Sequence, residues 1–152
     1  MAYTIAFDDG DKTDTAYMKA FDKRGIPQSF VIDGHGKVVW EGHPMFGLDA
    51  VVETVVAGDY TVEKLAQVAE KAAEKKMKEL RREQEMIRGY FDHVSVEGET
   101  KKTHELGRKV FKEIRDDAFS LNGFSWTILD QEGLKWRDLE LALEAAKVAN
   151  EL

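Results

Sequence analysis

The sequence predicts an incomplete α/β region over residues 1–58, followed by an all-α helical region over residues 59–152. Two observations support this fold class. Short runs of alternating or β-branched apolar residues occur before residue 58, as in strands. After that point, apolar residues recur at three-four spacing, as on one face of an amphipathic helix. The order within the first region is strand, helix, strand, strand, helix.

The first two predicted elements are a strand and a short helix. Tyr3 to Phe7 alternates in polarity, which predicts the strand. The acidic loop from Asp8 to Asp14 does not match the twelve-residue EF-hand spacing, so we interpret it as a solvated turn. A narrow apolar stripe from about Thr15 to Asp22 predicts the helix.

A β-hairpin and a second helix are predicted next. Gln28 to Ile32 and Lys37 to Trp40 are rich in β-branched residues, and two glycines lie in the turn between them. The helix is predicted from Gly47 to Ala57. Its apolar residues recur at helical spacing: Leu48, Val51, Val52, Val55 and Val56.

Residues 3–58 resemble the C-terminal half of a bacterial redoxin-type protein, a thioredoxin-like thiol–disulfide oxidoreductase. Three motifs carry the resemblance: Gly-Ile-Pro-x-x-Phe from residue 25, Ile-Asp-x-x-Gly-Lys from residue 32, and Val-Trp-x-Gly-His-Pro from residue 39. The resemblance implies that Pro27 is cis and that Ile26 and Pro27 form one wall of a substrate groove. Gly42, His43 and Pro44 are interpreted as a structural corner, held by a hydrogen bond from the His43 ring to the backbone.

The chain departs from that family in its chemistry. Cysteine is absent, which excludes disulfides, thiolate nucleophiles and the family's Cys-x-x-Cys in this chain. We therefore predict no catalytic residue, no cofactor and no metal site. A pair of histidines, His35 and His43, lacks a third ligand.

The family's strand before Tyr3 also has no counterpart here. In the family that strand lies between those matching Tyr3–Phe7 and Gln28–Ile32. Three arrangements would satisfy the backbone groups left open: the two strands pair directly, two copies associate or exchange segments, or the helical C-terminus covers the edge. A homodimer through the exposed sheet edge is thus one expected arrangement.

Four helices are predicted in the second region. A long helix from Asp59 to Phe91 precedes a loop from Asp92 to Thr100. The other three helices are predicted at Lys101 to Asp116, Ser120 to Leu129 and Asp138 to Glu151. The aromatic residues of the third are expected in the core, and the fourth is expected to face inward with Leu139, Ala142, Leu143, Ala146 and Ala149.

The last two helices resemble a degenerate tetratricopeptide-type hairpin. The matching positions are Leu121, Asn122, Ser125, Trp126 and Leu129 in the first helix, and Ala142, Ala146 and Ala149 in the second. A single hairpin of this type does not form a stable array. We therefore interpret the region as a helical appendage.

Charge and hydropathy restrict the partners. The chain holds 29 Asp and Glu against 22 Lys and Arg, so its net charge is -7 and we expect no nucleic-acid partner. No apolar run reaches 18 residues, and we expect no membrane partner. The N-terminus predicts no signal peptide. The compartment stays open, although the resemblance implies the bacterial cell envelope for a longer parent.

Three functional hypotheses follow. The first is a non-catalytic binding or scaffold module, with any thiol–disulfide oxidoreductase activity residing in the missing N-terminal part of a longer parent. The second is a cysteine-free enzyme around His43, Asp8 and Asp9. The third is an adaptor that binds a protein or peptide along the sheet edge or a helical groove, which the sequence does not separate from the first.

Overall fold

The computed structural model describes residues 10–152. A short π-helix, Asp14–Lys19, precedes two strands, β1 (Ser29–Ile32) and β2 (Val38–Gly42). Five helices follow: α1 (Leu48–Val56), α2 (Val62–Glu97), α3 (Lys101–Glu113), α4 (Ala118–Asp130) and α5 (Leu139–Glu151). The predicted combination of a small sheet with many helices is confirmed for these residues. The predicted strand Tyr3–Phe7 lies outside the described residues.

The two strands form an antiparallel hairpin, as the sequence predicts. Its register places Ser29 opposite Gly42 and Val31 opposite Trp40, and the pairing shifts between Val31 and Ile32. The turn is fixed by Asp33, because its carboxylate accepts hydrogen bonds from the backbone N–H groups of His35 and Lys37, each at 2.9 Å. Such side-chain bonds to the backbone are the usual reason for aspartate in a tight turn.

The chain divides into two compact units, and the division lies within α2, between Met77 and Lys78. In the first unit, Val31 and Val39 of the sheet, Val51 of α1, and Leu65 and Ala69 of α2 form one buried cluster. A two-stranded sheet has too little apolar area to form a core without helices packed on it. The first turns of α2 therefore belong with the sheet, although the sequence assigns them to the helical region.

The second unit contains the remainder of α2 together with α3, α4 and α5. Three aromatic rings form its centre: Tyr90 and Phe91 of α2 and Phe124 of α4, with centroids 4.9 to 5.7 Å apart. Gly107 of α3 is buried beside them, and a Cβ atom there would lie 2.7 Å from Leu141 Cδ2. The glycine lets the backbone of α3 approach the core closely.

The predicted loop from Asp92 to Thr100 is wrong over most of its length. α2 continues to Glu97, and Val94 is buried in the core of the second unit. Burial of Val94 favours the helical turn that carries it, and the helix ends only before Gly98, whose φ of 68° is left-handed. Tertiary packing thus extends the helix past the point where its sequence pattern weakens.

The expected burial of Trp126, Leu139 and Leu143 is also wrong. All three side chains are exposed to solvent. The core side of these helices is occupied instead by Phe124, Ile128, Leu141, Ala142 and Ala145. The reason is that α2 and α3 cover only one side of the α4–α5 hairpin.

Candidate functional site at the open edge of β1

The candidate site is the edge of β1 that faces away from β2. The N–H group of Asp33 donates to the Lys37 carbonyl across the hairpin at 2.9 Å. Because backbone groups alternate in direction along a strand, this bond implies that Phe30 and Ile32 direct their N–H and C=O groups away from β2. Within residues 10–152, no backbone hydrogen bond joins either residue to a segment outside the hairpin. Among the described residues, these groups have no backbone partner, and unpaired groups of this kind at a strand edge can pair with an added strand.

Two apolar clefts flank this edge. One cleft, of about 450 Å³, lies between β1 and α1 and is lined mainly by Phe30, Ile32, Leu48, Val52, Val55 and Val56. The other, of about 340 Å³, lies between β1 and the π-helix and is lined by Thr13, Tyr17, Met18, Gln28, Phe30 and Ile32. Phe30 and Ile32 therefore line both clefts.

The clefts lie on opposite faces of the sheet. Val31 belongs to the buried cluster with Val51 of α1. The neighbouring residue, Phe30, packs its ring 5.3 Å from the rings of both Tyr17 and Phe21. Adjacent side chains of a strand point to opposite faces, so α1 covers one face and the π-helix the other.

An ion pair anchors the segment that enters β1. Glu41 of β2 accepts from Lys23 Nζ at 2.8 Å and from Gln28 Nε2 at 2.5 Å. These two contacts bracket Ile26 and Pro27. Charge-assisted hydrogen bonds of this kind fix geometry more firmly than neutral ones.

The Ile26–Pro27 peptide bond is cis. The Ile26 side chain is 91% exposed and stands at the N-terminal end of β1. Since Ser29 lies opposite Gly42, the same end of the hairpin carries the predicted corner of Gly42, His43 and Pro44. The structure thus brings the two groups of predicted site residues to one end of the hairpin.

The corner itself is held by local contacts. His43 Nδ1 accepts a hydrogen bond from the Met45 N–H at 3.2 Å, and the His43 ring lies 5.1 Å from the Phe46 ring. The Trp40 indole lies across Gly42, where a Cβ atom would be 2.5 Å from Trp40 Cζ2. A glycine at this position is required for that close approach.

Sequence reasoning missed the contribution of α1 to the site. The helical spacing places Val52 and Val56 in the same apolar stripe as Val51, but both are exposed and line the cleft between β1 and α1. The width of the apolar stripe on α1 indicates this exposure. Its five apolar residues cover a broader arc of the helix than a two-stranded sheet can bury.

The described residues provide few groups for catalysis. Residues 10–152 contain no cluster of three or more His, Asp or Glu that could hold a metal ion. Asp8 and Asp9, which the enzyme hypothesis requires beside His43, lie outside this range. No helix in the described part of the chain is long and apolar enough to span a membrane. The two clefts and the edge of β1 together present an apolar surface of a shape that an extended apolar segment can contact.

No protein family, curated protein or solved structure matches this chain.

The hairpin turn beneath the site is expected to make stability depend on pH. Hydrogen bonds from the Lys37 and His35 N–H groups and from the Tyr60 hydroxyl lower the pKa of Asp33 below its ordinary value of 3.8. A group with a lowered folded-state pKa contributes stability that is fully present above its unfolded pKa and is lost as the pH falls through the folded pKa. We expect Asp33→Asn to lower the urea midpoint of the first unit at neutral pH.

The difference in urea midpoint between Asp33→Asn and the wild type should shrink toward zero as the pH falls well below 3.8. The Asp33 carboxyl of the wild type is then protonated, and neither side chain is charged. Tyr60→Phe removes only one donor, 2.9 Å from the carboxylate, and serves as a matched variant with a smaller deficit. Urea titrations across this pH range measure both. A deficit for Asp33→Asn that stays constant down to acid pH would contradict the prediction.

Proposed function

We propose that this chain is a non-catalytic binding module, which receives an extended segment of a partner protein along the open edge of β1. The proposal rests on one observation above all. Apolar clefts lie on both faces of that edge, and Phe30 and Ile32 line both of them. A strand edge with a receptive surface on each face is suited to β-strand addition.

The geometry of an added strand fits this surface. Its backbone would pair with the outward N–H and C=O groups of Phe30 and Ile32, and its successive side chains would point alternately to the two faces. Every second side chain of the added strand would enter the cleft beside Val52 and Val56. The side chains between them would enter the cleft beside Tyr17 and Met18. The preferred segment is therefore apolar at consecutive positions, with β-branched or aromatic residues.

The proposed scaffold is the C-terminal half of a redoxin-type, thioredoxin-like protein. The order of β1, β2 and α1 after Pro27 agrees with that half of the family, and the open edge is the one beside which the family's central strand would lie. A binding role requires no thiol, which suits a chain without cysteine. In this proposal Ile26 and Pro27 form the end wall of the groove, and any redox activity belongs to a longer parent.

The test uses a synthetic peptide as the probe. A segment of five alternating valine, isoleucine and phenylalanine residues, flanked by lysines for solubility, presents apolar side chains to both faces. A version with methylated amides at alternate positions cannot donate the ladder hydrogen bonds and is the peptide control. We expect only the unmodified peptide to slow hydrogen exchange at the amides of Phe30 and Ile32.

A matched pair of variants tests the location. Ile32→Lys places a charge on the edge and should weaken binding by at least about tenfold, since an inward or edge lysine blocks strand pairing. Val96→Lys makes the same change at an exposed apolar residue of the second unit and should leave affinity unchanged. Equal affinity in both variants, or equal binding of the methylated peptide, would refute the proposal.

A further inference from the structure

Three apolar side chains at the open edge of β1 are exposed although they line a cleft. Ile32 of β1 is 45% exposed, and Val52 and Val56 of α1 are 40% and 81% exposed. All three line the cleft of about 450 Å³ between β1 and α1. Apolar side chains gathered on one exposed surface mark a site where another segment binds.

Residues 3–7 lie outside the described part of the chain, and their sequence is that of a strand with two unlike faces. The segment reads Tyr-Thr-Ile-Ala-Phe. Its first, third and fifth residues are large and apolar, and the two residues between them are small. Because alternate side chains of a strand point to opposite faces, one face of such a strand is bulky and the other is slight.

The two clefts beside β1 differ in the same way. The cleft on the π-helix side is the smaller, about 340 Å³, and its lining includes the polar side chains of Thr13 and Gln28. The cleft on the α1 side is larger, and α1 contributes only apolar side chains to it: Leu48, Val52, Val55 and Val56. The bulky face of the segment therefore fits the α1 side, and its slight face fits the π-helix side.

The chain that follows this segment lies beside the open edge. Thr13, the N-cap of the π-helix, lines the smaller cleft together with Ile32 of β1. The residues from Phe7 to Thr13 span up to about 20 Å when extended, whereas neighbouring strands lie only about 5 Å apart. The connection over residues 8–28 also exceeds the dozen or so residues that a parallel crossover needs, so it permits either direction of pairing. The segment can therefore reach the edge.

We propose that residues 3–7 of the same chain add to the open edge of β1 and compete there with a partner segment. The segment would pair with the outward N–H and C=O groups of Phe30 and Ile32 and would cover Val52 and Val56. Because it is tethered by a short connection, its effective concentration at the edge is on the order of millimolar. The competition rests on the proposed function, whereas the coverage of the edge does not.

Hydrogen exchange at the Phe30 and Ile32 amides measures the coverage. Ile5→Lys places an ammonium group against the apolar side of α1 and should speed exchange at both amides about tenfold relative to the wild type. Val96→Lys makes the same kind of change at an exposed apolar residue of the second unit and should leave this exchange unchanged. Exchange at the amide of the buried Val51 should be the same in all three chains, which shows that the variants are folded. Equal exchange at Phe30 and Ile32 in the wild type and Ile5→Lys would overturn the inference.

A peptide with the sequence of residues 2–9 tests which segment covers the edge. Added to Ile5→Lys, it should slow exchange at the Phe30 and Ile32 amides again, because it supplies the same strand from outside the chain. The same peptide with lysine in place of its isoleucine should have no effect. Protection in the wild type that rises with protein concentration would assign the edge to the segment of a second copy, and would overturn the assignment to the same chain.

Binding of the peptide of valine, isoleucine and phenylalanine measures the competition. When only a fraction of molecules has a free edge, apparent affinity falls by that fraction, so Ile5→Lys should bind this peptide about tenfold more tightly than the wild type. The gain in affinity should equal the factor by which exchange is faster. Equal affinity of the two chains, with faster exchange in Ile5→Lys, would overturn the competition. Failure of the peptide to bind Ile5→Lys would refute the proposed function and leave the coverage of the edge, measured by exchange, standing.

Discussion

Gly47→Ala is expected to destabilise the first unit by about 3 to 5 kcal/mol, because it combines backbone strain with a steric clash. Gly47 precedes α1 with a φ of 96°, in the region that favours glycine. An added Cβ atom would lie 2.8 Å from both the Cα and the carbonyl oxygen of Ala69 in α2. These are backbone atoms and cannot rotate away, so α1 would have to move from α2 and open the buried cluster around Val51 and Leu65.

Gly58→Ala is the matched control for this change. Gly58 has a φ of 79°, but nothing lies within 4 Å of the position of its Cβ atom. Its replacement should cost only about 1 kcal/mol, from strain without a clash. Hydrogen exchange at the Val51 amide in increasing urea measures both variants in the full chain. Equal losses of stability for the two variants would show that the close approach of Gly47 to Ala69 adds nothing to the destabilisation.

Phe124→Ala is expected to destabilise the second unit by about 3 to 5 kcal/mol, the usual cost of removing a buried phenylalanine. Its ring is 2% exposed and packs 5.4 Å from Tyr90 and 5.7 Å from Phe91. Truncation would leave a cavity at the centre of the aromatic cluster. The rigid rings around it cannot collapse fully into that space.

Phe119→Ala makes the same chemical change on the same helix, at an exposed position. It should alter the free energy of unfolding by less than about 0.5 kcal/mol, as surface substitutions usually do. Urea denaturation of both variants and the wild type measures these changes in the free energy of unfolding. A large loss of stability for Phe119→Ala, or a small one for Phe124→Ala, would contradict the assignment of Phe124 to the buried face of α4.

Local patterns predicted much of the first unit. The β-branched runs on either side of the Asp33 turn specify the hairpin, since a period of two and a turn residue that bonds to its own backbone act over a few residues. The same locality places Ile26 and Pro27 at one end of β1, with the corner of His43 beside them. These features are determined by contacts between residues close in sequence.

The candidate site was only partly predictable. Its edge strand and its end wall follow from local sequence, but the clefts depend on how much of α1 and the π-helix the small sheet can cover. Val52 and Val56 are indistinguishable in pattern from Val51, which is fully buried. A helical stripe specifies which residues are apolar, and the area of the partner surface decides which of them are buried.

The sequence by itself determined the absence of cysteine, the approximate positions of the helices from α1 to α5 and the hairpin that follows Pro27. Composition and short-range periodicity are sufficient for these, because each depends on residue identity and on neighbours within a few positions. The tertiary structure alone decided that α2 runs on through Val94 and that Trp126 and Leu143 face solvent. Both outcomes depend on which side of a helix packs against residues that are distant in sequence. The periodic spacing of apolar residues within one helix does not specify those residues.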